Sequence, residues 1–231
     1  MTKSTSRIRL LGDLIGDLLK KGRLIRWIRS YAPDYLLRTR QPWLCFDAID
    51  HLASMPLQGK RVFEYGSGGS TLFWLSKGAA CVSIEHDARW FDKLRSLLPR
   101  DAAVDYRLIE PDYVPETERP CDVDPADPDA YLSADFAVHP CSYKRYVTQI
   151  DSYADGTFDV VLVDGRARPS CIKHSAPKTK IGGVLIVDNA ENDYYFEKTG
   201  PFLTGFTRMT FQGALPANRV LTRTDFYRRT A

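Results

Sequence analysis

Between residues 60 and 188 the chain alternates short apolar runs with helix-like segments, and this rhythm limits its fold more than any other feature. The runs, many of them β-branched, are Arg61–Tyr65, Ala80–Glu85, Val104–Ile109, Phe158–Asp164 and Val184–Asp188. Thr71–Lys77, Ala88–Leu98 and Tyr143–Tyr153 read as helices between them, with a weaker segment after Arg168. Continuous apolar strands joined by helices predict an α/β domain: a doubly wound, mostly parallel sheet with helices on both faces and right-handed crossovers. Thr207–Phe211 and Arg219–Tyr227 flank a Pro-Ala-Asn turn, so the sheet is expected to end in a C-terminal antiparallel hairpin.

The stretch Glu64-Tyr65-Gly66-Ser67-Gly68-Gly69-Ser70-Thr71 leaves the first strand and opens a helix. Gly66 and Gly68 permit close approach of a ligand, and the helix start after Ser70 offers unpaired N–H groups. Glu64 and Glu85 end the first and second strands, at the edge where doubly wound sheets bind ligands. A carboxylate at Glu85 can accept hydrogen bonds from both hydroxyls of a ribose, as in dinucleotide-binding proteins. Two features point away from NAD. Thr71 replaces the third glycine of the dinucleotide fingerprint, and Glu64 would set negative charge beside a pyrophosphate. A cationic ligand such as S-adenosylmethionine, with its sulfonium and ammonium, suits these carboxylates better.

Glu64-Tyr65-Gly66-Ser67-Gly68, Glu85, the strand Phe158–Asp164 and the run from Gly182 to Asp188 resemble, in order and spacing, the successive motifs of class I S-adenosylmethionine-dependent methyltransferases. The resemblance covers about residues 60 to 230. It implies a seven-stranded sheet with its last strand antiparallel and S-adenosylmethionine as cofactor. It also implies a cofactor site drawn from Glu64, Tyr65, Gly66, Ser67, Gly68, Ser70, Thr71 and Asp164. Glu85 would hold the ribose, and His86 and the region Ile109–Asp112 would border adenine. In metal-dependent O-methyltransferases an Asp after the fourth strand and an Asp-Asn pair after the fifth hold a divalent cation. Asp164, Asp188 and Asn189 match that arrangement, which implies magnesium or another divalent cation. The lysine common three residues after the first Asp is replaced by Ala167.

Methyl transfer needs an aligned acceptor and, for a hydroxyl, removal of a proton. Asp164, Asp188 and His174 are the candidate catalytic residues. Arg166 and Arg168 are too basic to take a proton; they suit an anionic acceptor, lie on the surface as ordinary loop arginines, or neutralise Asp164 and Asp188 in place of a metal. The expected reaction is methyl transfer to a hydroxyl of a small-molecule or carbohydrate-like acceptor. The alternatives are an NAD-dependent oxidoreductase and a cofactor-binding partner subunit without catalysis. The residues after the fourth strand, Asp164-Gly165-Arg166-Ala167, lack the Asn/Asp-Pro-Pro-aromatic signature of methyltransferases acting on nucleobases, so nucleic acid is not the expected partner.

Charge is segregated along the chain, although the net charge is only +3. Residues 1–40 carry ten Lys/Arg and three Asp, and residues 111–140 carry one Arg and eight Asp/Glu. The first 58 residues are expected to form a basic helical extension and cap on a methyltransferase domain at 59–231. Ile8, Leu11, Ile15, Leu18 and Ile25 predict a helix over 7–29 whose basic flanks suit packing on the domain, a partner or an anionic membrane surface. Residues 111–140 hold six of the fourteen prolines and read as an acidic insertion, either a solvated loop or a lid. Within it Cys121, His139 and Cys141 have no strong zinc spacing. Five cysteines are too few for a disulfide scaffold, and no run reaches the ~18 apolar residues of a membrane span. A cytoplasmic location is expected.

Overall fold

The computed structural model describes the backbone of residues 3–119 and 122–231, and side chains within that span from residue 12 onward. Four helices come first: α1 (Lys3–Lys20), α2 (Leu24–Arg29), α3 (Tyr35–Thr39) and α4 (Phe46–Ser54). The alternating region follows as β1 (Arg61–Tyr65), α5 (Gly69–Ser76), β2 (Ala80–Glu85), α6 (Ala88–Arg95) and β3 (Val104–Leu108). Two short strands, β4 (Asp112–Tyr113) and β5 (Cys141–Ser142), bracket the insertion, and α7 (Lys144–Val147) leads on. Then come β6 (Phe158–Val163), α8 (Arg168–Lys178), β7 (Thr179–Val187), α9 (Tyr194–Glu197), β8 (Phe206–Ala214) and β9 (Leu221–Arg229).

Seven strands form one sheet in the order β3-β2-β1-β6-β7-β9-β8. The first five are parallel, while β9 runs antiparallel to both β7 and β8. This is the predicted doubly wound sheet with its C-terminal hairpin. The chain reverses its winding between β1 and β6, so a crevice opens beyond the carboxyl ends of those two strands.

Side-chain alternation divides the core into two layers. Val62, Val160, Leu162 and Ile186 face one layer with Phe73, Trp74 and Phe226. Phe63, Tyr65, Val161, Val163 and Leu185 face the other with Tyr146 and Ile172. Leu14 and Leu18 of α1 and Leu44 and Phe46 belong to the first layer and are fully buried, so the N-terminal segment covers one face of the sheet.

The helix expected over 7–29 is two helices. Gly22, with φ of +63°, turns the chain between them, a conformation that glycine adopts without strain. Ile8 and Leu11 of that expectation lie outside the described side chains. Among the described residues, Lys21, Arg23 and Arg26 are matched by carboxylates nearby. Lys21 bridges Asp17 at 2.6 Å and Asp47 at 2.5 Å, and Arg23 and Arg26 reach Asp50 at 2.8 and 2.6 Å. Ile15, Leu19, Ile25 and Ile28 are exposed. Among the described residues, no helix is long and apolar enough to cross a membrane.

The insertion is closed at its neck by the β4–β5 ladder and is not a free loop. Ala126, Leu132 and Phe136 are buried. Ser133 Oγ accepts the Ala167 amide at 2.9 Å, and Asp135 pairs with Arg166 at 3.0 Å. These contacts hold the insertion over the β6–α8 connection.

Candidate active site

A cavity of about 860 Å³ lies at the predicted crevice, beyond the ends of β1, β2, β6 and β7. That volume is in the range of small-molecule sites, roughly 300–1,000 Å³. Gly66, Ser67, Gly68 and Ser70 form one wall with Glu85 and His86, and Asp164 and Asp188 line it beside them. These positions of the predicted cofactor site come together. The turn must be glycine-rich here. Gly66 has φ of +89°, and a Cβ on it would press to 3.1 Å against the backbone of Asp164 and Gly165. At Gly68 an added Cβ would meet only Trp90, at 3.6 Å, an ordinary contact.

Glu85 is 3% exposed. Its carboxylate accepts the Ser67 amide and hydroxyl at 3.1 and 2.7 Å, and the His86 and Asp87 amides at 2.7 and 2.9 Å. Burial works to raise its pKa, but hydrogen bonds from His86, Asp87 and Ser67 outweigh it and hold the group at about 2. All four lone-pair directions of the carboxylate are engaged. The Ser67 hydroxyl is the donor that can swing away without disturbing the backbone, and it already has a second partner in the Tyr106 hydroxyl at 2.8 Å.

Three expected cofactor residues lie elsewhere. Glu64 is fully buried and does not reach the cavity. The two-residue period of β1 turns it, like Val62, under α5. There it accepts the Thr71 hydroxyl, Ser83 Oγ at 2.7 Å and Trp74 Nε1 at 2.9 Å. Burial raises its pKa against the lowering effect of those donors. Thr71 is spent beneath the turn, where it also accepts the Gly68 amide at 3.1 Å. Tyr65 faces the opposite layer and donates to the Val147 carbonyl at 2.6 Å. The residues Ile109–Asp112 do not line the cavity either; His86, Asp87 and Trp90 occupy that side. Thr71→Val is therefore expected to act on stability. It strands the Gly68 amide and removes a donor from a buried carboxylate, a loss of about 2–4 kcal/mol by urea denaturation. Unchanged stability with lost ligand binding would return Glu64 and Thr71 to the cofactor site.

The floor is acidic. Asp164 and Asp188 directly follow Val163 and Val187, which pair across the parallel β6–β7 ladder. The two carboxyl groups thus stand side by side at adjacent strand ends. Asp188 is 2% exposed, and its Oδ1 accepts the Thr224 hydroxyl at 2.7 Å. Burial and the nearness of Asp188 raise the pKa of Asp164. Burial raises Asp188 to about 6, against the lowering effects of Arg168 and Thr224. Two carboxyls so close cannot both ionise easily, so each opposes loss of the other's proton.

Arg168 closes the arrangement. It begins α8, four residues after Asp164, and its guanidinium folds back over the strand ends. Nη2 contacts Asp164 Oδ1 at 3.1 Å and the Asp164 carbonyl at 3.3 Å. Nε donates to the Gly165 carbonyl at 3.1 Å, and Nη1 to the Asp188 carbonyl. The side chain is 10% exposed.

A divalent cation does not fit Asp164, Asp188 and Asn189 as they stand. Arg168 already holds Asp164, and a dication about 4 Å from it would be repelled by roughly 8 kcal/mol at an effective dielectric of 20. Asn189 Nδ2 donates to Thr222 Oγ1 at 3.0 Å, a bond that leaves its Oδ1 unengaged. Among the described residues, no group of three or more His, Cys, Asp or Glu converges on a metal position. His139 instead contacts Asp135 at 3.4 Å, and Cys121 lies outside the described residues. S-adenosylmethionine makes no such demand: the cavity leaves room for it beside the glycine turn, and Glu85 presents a carboxylate to the same space.

His174 is not in this cavity. It lines a separate depression on α8, where Nδ1 meets both Asp151 carboxyl oxygens at 2.9 Å. Sequence reasoning missed the rest of the wall. Leu37 and Trp43, Ser133 and Asp135 of the insertion, and Tyr194 and Tyr195 all face the cavity. The Tyr194-Tyr195 pair, so soon after Asp188-Asn189, was a readable signal; the others are brought in by tertiary folding.

No protein-family model matches the chain, and no curated protein matches it. Solved structures do. The O-methyltransferase from Bacillus cereus in complex with SAH has a TM-score of 0.56 at 14% identity, with 94% of this chain and 98% of that chain covered. Cofactor-bound Rv0187 from MTB has a TM-score of 0.55 at 15% identity, with 94% and 97% covered. At such identities the likeness is one of architecture: the chain has the class I S-adenosylmethionine-dependent methyltransferase fold.

Proposed function

We propose that the chain transfers a methyl group from S-adenosylmethionine to a hydroxyl of a small-molecule or carbohydrate-like acceptor. The observation that carries this reading is the Asp164–Asp188 carboxyl pair, at adjacent strand ends on the floor of a cavity walled by the glycine turn and Glu85. Bound there, the cofactor would supply a methyl already activated on a sulfonium sulfur.

The work left to the protein is alignment and proton removal. Ser67, Gly68 and Glu85 fix one end of the site, and Trp43 and Tyr194 offer aromatic surface at the acceptor end. Asp164 is the more accessible carboxyl of the pair, with 22% of its side chain exposed. It would take the acceptor's proton as the acceptor oxygen forms the new C–O bond and the methyl–sulfur bond breaks, the cofactor leaving as a neutral thioether, with Asp188 packed behind Asp164. Such a base contributes typically about 10²–10⁴-fold.

A base raised above the ordinary carboxylate range gives the rate a definite pH dependence. Turnover needs the ionised form, so kcat/KM is expected to rise with pH between 5 and 8. A flat profile between pH 5 and 8 would remove the carboxyl pair as base. The test of the function is incubation with methyl-labelled S-adenosylmethionine and a panel of phenols, sugars and amines, alongside calorimetric titration with S-adenosylmethionine and NAD. Label on hydroxyl acceptors is expected. Binding of NAD alone favours an oxidoreductase, and cofactor binding without transfer to any acceptor favours a non-catalytic subunit.

A further inference from the structure

We propose that Arg168 occupies, within the protein's own chain, the place of a divalent cation, and that its guanidinium excludes metal from the Asp164–Asp188 pair. The reading of the cavity as a methyl-transfer site bears only on the last arm of the test below; the exclusion itself is a statement about charge and geometry.

Four of the five guanidinium N–H groups are committed to these two strand ends: two to Asp164, one to Gly165 and one to the Asp188 carbonyl. Of these oxygens, Asp164 Oδ1 is one of the hard carboxylate donors that a magnesium or manganese ion would need. Arginine keeps its charge at every physiological pH, so the exclusion does not depend on protonation. Its planar fork lets one side chain hold a carboxylate and neighbouring carbonyls together. The Tyr195 ring lies 5.6 Å from the guanidinium carbon and backs it. The sequence departure at Ala167 fits this arrangement: the positive group sits one residue later, on the first turn of α8, and is directed back at Asp164.

Arg168 is thus a positioning residue. It keeps the acidic pair together and supplies a fixed positive charge without entering the proton transfer. Manganese binding, read by electron paramagnetic resonance and calorimetry on the full chain, tests this directly. The wild type is expected to bind no manganese at this site. Arg168→Ala, with the carboxyls uncovered, is expected to bind one ion at least tenfold more tightly than the wild type, and Asp188→Asn in that background to lose it. Arg168→Lys keeps the charge and is expected to exclude metal as the wild type does. A stoichiometric ion in the wild type that Asp188→Asn removes would overturn the proposal, as would a folded Arg168→Ala that binds no better than the wild type. Should Arg168→Ala fail to fold, the wild-type measurement still decides. The last arm is turnover in EDTA, which is expected to match that in magnesium. Absence of transfer under both conditions would count against the methyl-transfer reading and leave the metal result standing.

Discussion

Asp188→Asn is expected to lower methyl transfer by about 10²–10⁴-fold while making the protein more stable above pH 6. The two effects share one cause. Asp188 titrates at about 6 in the fold and near 3.8 when exposed, so the folded state holds a proton that the unfolded state has released. Stability therefore falls as pH rises from about 4 to 6 and stays lower above that window, by about 3 kcal/mol at most. Asn has no charge to bury and can still accept the Thr224 hydroxyl, so it recovers part of that loss; Arg168 keeps the Asp188 carbonyl and gives some back only through the lost attraction to a nearby charge. Thermal unfolding at pH 4 and pH 8 separates these contributions, since the gain should be small at the lower pH and full at the higher. Retained turnover, or a lower melting temperature at pH 8, would refute the role given to the pair. Such trade of stability against activity is common where a site needs an uncomfortable group.

Glu85→Ala is expected to weaken S-adenosylmethionine binding at least tenfold and up to about a hundredfold, with hydrogen bonds to a charged group contributing about 1.5–3 kcal/mol each. Truncation removes the carboxylate proposed to accept the ribose hydroxyls and also releases the Ser67, His86 and Asp87 amides that it gathers. Glu85→Gln should fall between, because its amide can still accept on one side. The Glu85 pKa of about 2 adds a second check. A depressed carboxyl stabilises the fold above its unfolded value of 4.5, and that contribution fades as pH falls towards 2. Cofactor affinity should therefore be level from pH 5 to 8, over the range in which turnover changes. Unaltered affinity in Glu85→Ala by calorimetry would take the ribose from this residue.

The sheet was legible because burial imposes a period. Continuous apolar runs such as Phe158–Val163 cannot face water on either side, and the turn at Pro216 made the final pairing antiparallel. The same period could have corrected Glu64, which shares a face with Val62, but a carboxylate at a strand end reads as a ligand group until its covering residues Thr71, Ser83 and Trp74 are known. Arg168 was visible as a four-residue spacing from Asp164 across a helix start, a distance at which side chains meet. What the sequence hid was direction: whether that arginine pointed to solvent or back onto the floor. His174 shows the limit from the other side, since α8 carries both residues yet presents them to different cavities. Ser133 and Asp135 were out of reach of any local rule, because they meet the site across more than thirty residues of chain.

The buried carboxylate of Glu64 also has a kinetic meaning. Through Thr71 it grips the glycine turn from beneath, and Trp74 and Ser83 anchor it to the core. The turn cannot open alone without stranding a charge away from water. Its amide protons, that of Gly68 above all, should exchange with solvent as slowly as those of the central strands, by global rather than local unfolding. A wall held so firmly has little disorder left to lose when a ligand arrives, and affinity is correspondingly spared the entropy of ordering it.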